Sequence, residues 1–482
     1  CASLDQCLRS DANPYRHTDG DEIFYGDCAD VAYFLRGYYA WKNGLPFSHA
    51  SLMQTANGAP EDHRYSKAGN VVSERRYAWR ADGAPIDAPR FLRRIVNEVS
   101  TAMFRTHPET GGGTSFDDFY PVKIERGVVR PGMIAYDIYG HVGLIYDIEA
   151  SGRVHIMASH PDLSLTRTVY GPNFIRSGPE LGAGLKAWRP IRKTGGRAVA
   201  ATNAELADFS MEQFFGTVPH PEGRWDLGEF RYEDRTLDYY AYVRRVLAAP
   251  DYAYNPVTEL SDAIDAICVN IKARSVAVDR AYEAGLHLRP HPGRLPPNIY
   301  GTYGDWEAYS TPSRDARLKN NFVELRRLAE DLVTRHAQGD PSLSYEGADL
   351  PADLLAAFSD RAEACKFVYT KSDGERLRLR FHHVMERLFD LSFDPYHCPE
   401  RRWGATGAEA AACADGPDKA AWYAAQVYLR NQVQRVYDVK MDFTLTEMKS
   451  PSEGGLGWEV APDVDTLGYL KSLQRVETAM AQ

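Results

Sequence analysis

The chain of 482 residues contains no run that approaches the roughly 18 uninterrupted apolar residues of a membrane-spanning helix. It also lacks an excess of positive charge, because 56 lysine and arginine residues face 66 aspartate and glutamate residues and leave a net charge of -10. We therefore expect no transmembrane segment and no nucleic acid partner, since no cationic field would hold a phosphate backbone. With 44% hydrophobic and 25% charged residues, the composition excludes disorder and favours about two or three folded domains.

Cysteine is scarce, and its spacing does not match a metal site. The seven cysteines form no paired C-x-x-C motif, so we expect no metal ion and no cofactor. An odd number leaves one cysteine over, and we predict that this one is Cys28. The remaining six lie where they could pair as Cys1 with Cys7, Cys268 with Cys365 and Cys398 with Cys413. Such pairs predict an exported protein, whereas the alternative is a cytosolic protein with reduced, buried cysteines.

The start of the chain allows a second interpretation of Cys1. Cys1-Ala2-Ser3 is similar to the mature end of a bacterial lipoprotein. In that case Cys1 carries a lipid anchor and Cys7 loses its partner. Both interpretations predict a protein of the periplasm or cell envelope.

The apolar pattern changes along the chain and predicts two domains. In residues 1–192 an amphipathic helix starts at Asp27 or Cys28 and ends at Asn43-Gly44, and short apolar runs follow it. A helix followed by an antiparallel sheet indicates an α+β fold. The predicted strands are residues 133–136, 142–148, 154–158 and 186–188.

A basic, glycine-bearing stretch predicts a linker at residues 193–205. Residues 206–482 are then expected to form a mostly α-helical domain of unknown role. Its predicted helices are residues 234–248, 258–284, 314–337, 351–393 and 418–437. The histidines of this domain, His287, His291 and His397 among them, are expected at the surface because no third metal ligand stands near them in sequence.

The main candidate for chemistry is Cys28, at the start of the predicted helix in Tyr25-Gly26-Asp27-Cys28-Ala29-Asp30. The unpaired N–H groups of a first helical turn and the helix dipole stabilise a thiolate, so we expect a lowered pKa for the Cys28 thiol. A catalytic cysteine also needs a base, and His141 at the head of a predicted strand is the best candidate.

Three segments carry a resemblance to a known family: Asp27-Cys28-Ala29-Asp30-Val31, Arg130-Pro131-Gly132-Met133-Ile134 and Gly140-His141-Val142-Gly143-Leu144-Ile145-Tyr146. They resemble the NlpC-type bacterial cell-wall endopeptidases, which are papain-like cysteine peptidases. The resemblance covers residues 20–192 and departs from the family at Ala29-Asp30, where Ser-Gly is usual.

The resemblance implies a papain-like domain in which Cys28 is the nucleophile and His141 the base. It implies cleavage of peptide bonds in the stem peptides of peptidoglycan, through a thioester acyl-enzyme. Asp27 would help to hold the free amino end of the stem, and we place Tyr25 at the substrate side as well. From the residues alone, Asp27 is equally an N-cap of the helix.

The family's third polar residue lies on the next strand, where this sequence offers His155, His160 and Asp162. If the hairpin turns at about Ser151-Gly152, the residue opposite His141 is near 161 or 162, from 302 or 303 minus 141. We therefore favour His160 as the residue that orients the base, with Asp162 second. His155 remains an alternative if a β-bulge shifts the register.

Two other functions stay open. A transglutaminase-like acyl transferase also has a helix-start cysteine and a strand histidine, and Asp162 would be its third residue. A catalytically inactive papain-like scaffold that binds wall peptides is the alternative without enzyme activity, and the Ala29-Asp30 departure favours it.

Overall fold

The structure is a computed structural model, and it describes residues 1, 3–18, 23–79, 86–109, 116–160, 163–300, 303–309, 311–435, 439–448 and 460–480. It combines helices with antiparallel sheets, which confirms the predicted α+β class. The chain divides into two compact units, Cys1–Tyr252 and Ala253–Gln482. Among the described helices, none has both the length and the apolar character needed to cross a membrane.

The first unit contains five helices and twelve strands within its described residues. The helices are α1 (Leu4–Arg9), α2 (Cys28–Lys42), α3 (Ala88–Glu98), α4 (Glu212–Phe215) and α5 (Tyr239–Leu247). The strands are β1 (Ser48–Thr55), β2 (Asn70–Tyr77), β3 (Phe119–Pro121), β4 (Ile134–Asp137), β5 (His141–Ile148), β6 (Val154–Ser159), β7 (Leu165–Val169), β8 (Gly184–Trp188), β9 (Ile191–Thr194), β10 (Arg197–Ala200), β11 (Phe230–Tyr232) and β12 (Arg235–Leu237).

A six-stranded antiparallel sheet in the order β3-β8-β4-β5-β6-β7 organises the first unit. Its alternating side chains enter two apolar clusters. On β4, Ile134 and Tyr136 pack with helices α2 and α3, whereas Ala135 packs on the other face with Tyr242 and Val243 of α5. The period of two in the sequence therefore buries both faces of the sheet, and α2 lies directly against β5 and β6.

The boundary between the units differs from the predicted linker at residues 193–205. Strands β9 and β10 pair as a hairpin there, and Ala198 is buried against Trp79 and Phe116. The basic, glycine-bearing composition marks a tight turn at Gly195-Gly196 rather than the end of a compact unit. The division falls between Tyr252 and Ala253 instead.

The second unit is mostly helical among its described residues. Its helices are α6 (Pro256–Glu283), α7 (Asp305–Tyr309), α8 (Thr311–Ala337), α9 (Leu350–Ala364), α10 (Phe381–Glu386), α11 (Pro399–Arg402), α12 (Gly407–Ala410), α13 (Pro417–Ala425), α14 (Val427–Asn431), α15 (Leu445–Met448) and α16 (Thr466–Met480). Its strands are β13 (Lys366–Thr370) and β14 (Arg376–Arg380).

The expectation of one helical stretch over residues 351–393 is wrong. Strands β13 and β14 interrupt it as an antiparallel hairpin, with Lys366 opposite Arg380. Residues 366–370 and 376–380 alternate in character with a period of two, and Ser372-Asp373-Gly374 supplies the turn between them. The sequence therefore contained the pattern of a hairpin. The helical patterns on both sides of it led to the prediction of one continuous helical stretch.

Three disulfides join the predicted partners: Cys1 with Cys7, Cys268 with Cys365, and Cys398 with Cys413. Cys28 is the free cysteine, as the odd count predicted. The start of the chain thus follows the disulfide interpretation, since the Cys1 sulfur is bonded to Cys7. Three disulfides indicate an oxidising, extracytoplasmic compartment.

Candidate active site around Cys28

Cys28 occupies the first position of α2, and the residues around it explain why the helix begins there. Asp27 is the N-cap, and its carboxylate accepts hydrogen bonds from the backbone N–H groups of Ala29 and Asp30, at 2.9 and 3.2 Å. Asp30 reciprocates by accepting from the N–H of Asp27 at 3.0 Å. This capping box fixes the direction of the chain through Cys28.

Backbone contacts bring the helix start to the ends of two strands. The hydroxyl of Ser159, the last residue of β6, donates to the Gly26 carbonyl oxygen at 2.6 Å in a buried position. The Cys28 thiol donates to the Gly140 carbonyl oxygen, with 3.6 Å between sulfur and oxygen. The sulfur also accepts from the N–H of Val142. It therefore contacts the backbone on both sides of His141.

The side chain of His141 packs against two other rings. Its ring lies parallel to that of His160, with 5.7 Å between ring centroids and 15° between planes, and 5.9 Å from the centroid of Phe174. His141 therefore belongs to a group of aromatic rings at the strand end whose backbone contacts the Cys28 sulfur.

The register of the β5–β6 hairpin decides which histidine accompanies His141. Leu144 lies opposite Met157 and Ile145 opposite Ile156, so the index sum is 301. Extended to the strand end, this sum sets His160 beside His141, which agrees with their ring contact. His160 also hydrogen-bonds the Thr166 hydroxyl through Nε2 at 2.7 Å.

The two other candidates for the third residue are placed differently. His155 lies opposite Asp147, well along the hairpin, and its Nε2 is 2.5 Å from Oε1 of Glu149. A register shift does occur between Ile145 and Asp147, but it does not carry His155 to His141. Asp162 lies outside the described residues.

The electrostatics of the site oppose a resting thiolate. Burial raises the pKa of the Cys28 thiol well above its ordinary value, and the negative charges of Asp27 and Asp30 raise it further. The N–H groups of Val142 and Ala29 act in the other direction and are outweighed. The expectation of a lowered pKa is therefore wrong for this structure, because two carboxyl groups and burial overcome the helix N-terminus.

The residues expected to bind substrate are accessible to solvent. Tyr25 is half exposed, at 51% of its surface, and Asp27 is partly exposed beside the thiol. Asp27 acts as the N-cap, one of the two roles considered for it. Its Oδ1 accepts both capping bonds.

Sequence reasoning missed three residues that shape the site. Ser159 holds the helix start, Asp30 adds a buried carboxyl group beside the thiol, and Tyr136 is buried close enough to Cys28 for the thiolate charge to raise the pKa of its hydroxyl. The sequence could have identified Asp30, since an acid three residues after an N-cap is typical of a capping box. It could not have identified Ser159 and Tyr136, because their contacts depend on how α2 docks on the sheet.

The chain matches no protein-family model, no curated protein and no solved structure. The interpretation of the site therefore depends on its own geometry.

Proposed function

We propose that the unit Cys1–Tyr252 is a cysteine peptidase or amidohydrolase with a papain-like site, which cleaves peptide bonds in peptidoglycan stem peptides. One observation carries the proposal. The free thiol of the chain stands at the start of α2 and contacts the backbone on both sides of His141. A helix-start cysteine beside a strand-start histidine is the arrangement that thioester chemistry needs.

The raised pKa of Cys28 determines how such a reaction would begin. The thiol is protonated at neutral pH, so His141 must accept its proton as the sulfur attacks the peptide carbonyl. The new S–C bond gives a tetrahedral intermediate, and its collapse releases the amine, which takes the proton from His141. Water activated by the same imidazole then hydrolyses the thioester.

His160 is the proposed orienter of His141, because it packs against that ring and is itself held by Thr166. Asp27 and Tyr25 are the proposed substrate contacts. A carboxylate beside the thiol suits the free amino end of a stem peptide. Three disulfides support a place in the periplasm or cell envelope, where such peptides occur.

A second candidate function has specific support. The high pKa of Cys28 is also what a scaffold without activity would have. Such a scaffold would bind wall peptides through the same residues and leave them intact. The two functions make opposite predictions for one experiment.

The full chain should be incubated with purified peptidoglycan and the soluble products identified by mass. A peptidase releases stem-peptide fragments, and Cys28→Ala abolishes the release. Ser73→Ala is a matched control, because its hydroxyl bonds the Leu52 carbonyl on an exposed hairpin remote in sequence from the site. Binding of peptidoglycan without fragments would reject the peptidase and support the scaffold. Fragments joined to an added amine would mark acyl transfer instead.

A further inference from the structure

Two buried arginines of the second unit have N–H groups without acceptors. Arg402, the last residue of α11, is 1% exposed, and Arg274 of α6 is fully buried. Within the described part of the chain, neither Nη1 nor Nη2 of Arg402 has a hydrogen-bond partner, and Nη1 of Arg274 has none either. A buried guanidinium rarely leaves whole amino groups unsatisfied, because each one loses its water on folding.

The two guanidinium groups converge on one point. Nε of Arg402 and Nη2 of Arg274 both donate to the Ser392 carbonyl oxygen at 3.0 Å. Arg274 also lies over the Trp403 ring, 4.6 Å from its centroid. Within the described residues, the indole Nε1 of Trp403 is another buried donor without an acceptor. Four buried donor atoms of these three side chains thus lack an acceptor there.

The charges around Arg402 also favour an added anion. Asp315 binds Arg274 through both carboxylate oxygens, at 2.7 and 2.9 Å. The other buried acid nearby, Asp394, is already bonded to His291 at 2.7 Å. Burial and the charge of Arg274 lower the pKa of Arg402 to about 9, although Asp315 and Asp394 act to raise it. At neutral pH Arg402 is therefore a buried cation, and its two unsatisfied amino groups bind no carboxylate of the described residues.

We propose that the second unit binds a small oxyanion, of the phosphate or sulfate class, between Arg402 and Arg274. Such an ion supplies several acceptor oxygens to the unsatisfied amino groups and also neutralises the surplus charge, whereas water supplies acceptors alone. Both side chains are enclosed by protein, so the ion enters as the chain folds or through a local opening. The site is independent of the function proposed for Cys28.

The probe for the test is inorganic phosphate, and the protein is the full chain with its disulfides intact. The chain is unfolded in urea, refolded in Tris chloride with or without phosphate at equal ionic strength, and passed through a desalting column. The phosphate released on denaturation is then measured. Wild type refolded with phosphate should retain it in proportion to protein, and its thermal midpoint should rise above that in chloride.

Arg402→Gln should lose both the retained phosphate and the rise in thermal midpoint. Arg327→Gln is the matched control, since Arg327 is an exposed arginine of the same unit that pairs with Glu324, and it should behave as wild type. If Arg402→Gln does not fold, Arg402→Lys keeps the charge and removes the fork of donors, and its retention should fall below wild type. Wild type that retains no phosphate, or Arg402→Gln that retains as much as wild type, overturns the proposal.

Discussion

At the scale of single residues, burial and two carboxyl groups set the protonation of Cys28. Burial raises the pKa of its thiol most, and the charges of Asp27 and Asp30 raise it further. Burial and the charge of Asp27 raise the pKa of Asp30 to about 8. Near neutral pH the start of α2 therefore holds a protonated thiol and a largely protonated acid beside one carboxylate.

Replacing Asp30 by asparagine should make Cys28 more reactive. Asparagine can still accept from the Asp27 N–H, but it never carries the charge that opposes the thiolate. The rate of alkylation by iodoacetamide should therefore rise at a lower pH in Asp30→Asn than in wild type. Asp11→Asn, at an exposed acid, is the control and should leave the profile unchanged. An unshifted profile in Asp30→Asn would show that its charge does not reach the sulfur.

The same substitution should change how stability depends on pH. An acid whose pKa is higher in the folded than in the unfolded state binds more protons when folded. Its contribution to the free energy of unfolding therefore falls as pH rises from 3.8 to about 8. Urea unfolding at pH 5 and pH 8 should show a smaller loss of stability in Asp30→Asn than in wild type. Equal losses would contradict the raised pKa.

Alanine substitutions at the three histidines in and beside the β5–β6 hairpin should affect peptide cleavage to different extents. His141→Ala should abolish peptide cleavage, because His141 follows the residue whose carbonyl contacts the Cys28 thiol and is the proposed base. His160→Ala should leave residual turnover, since it orients the base without transferring the proton. His155→Ala should stay near wild type, because its ring is bonded to Glu149. Loss of cleavage in His155→Ala with normal His160→Ala would reject this assignment.

At the scale of elements, the site depends on how α2 meets the sheet. Ser159 ties the residues before the helix to the end of β6, and Gly143 of β5 lets the strands approach. A Cβ on Gly143 would lie 2.0 Å from Cγ2 of Ile156, so only glycine fits there. These contacts set the sulfur at the beginning of β5 rather than farther along it.

Ser159→Ala tests this docking. The Gly26 carbonyl would keep its buried position and lose its donor, which should cost about 1–3 kcal/mol in the free energy of unfolding. Cleavage should also slow, because the start of α2 is freer to move. Ser73→Ala, which removes an exposed hydroxyl-to-carbonyl bond, should cost much less. Denaturant unfolding compares the two variants, and equal costs would show that the Ser159 bond is not needed.

At the scale of the whole molecule, two disulfides of the second unit close chain segments of very different lengths. Cys268–Cys365 joins α6 to the end of α9 across 97 residues, and both cysteines lie in the main apolar cluster of that unit. Cys398–Cys413 closes a step of 15 residues around α11 and α12. Buried apolar side chains and two covalent links thus hold the helices together.

Removing the longer link should destabilise the second unit more. In the chain-entropy model a loop near 100 residues contributes about 4.7 kcal/mol, and a loop of 15 residues contributes about 3 kcal/mol. We expect the double alanine variant at Cys268 and Cys365 to unfold at a lower urea concentration than the one at Cys398 and Cys413. A larger effect of the shorter link would mean that packing around α11 outweighs chain entropy.

The sequence by itself predicted those features that residues close together in the chain determine. The N-cap and glycine stop predicted α2 almost to the residue, and the apolar runs predicted β4, β5, β6 and β8. The odd cysteine count and the helix-start position predicted the free Cys28, and the sequence positions of the other six cysteines predicted their pairs. The hairpin arithmetic came within a residue or two of the observed index sum, because antiparallel register follows from the turn.

Tertiary structure decided what depends on residues distant in sequence. Burial and the sum of nearby charges, which no local pattern reports, raise the pKa of Cys28. Packing also leaves Nη1 and Nη2 of Arg402 without an acceptor among the described residues. Tertiary structure also decided the burial of two histidines. His291 and His397 were expected at the surface and are buried beside Asp394. Hydrogen-bonding patterns along the chain fix helices and strands, whereas desolvation and long-range charge arise only when those elements pack.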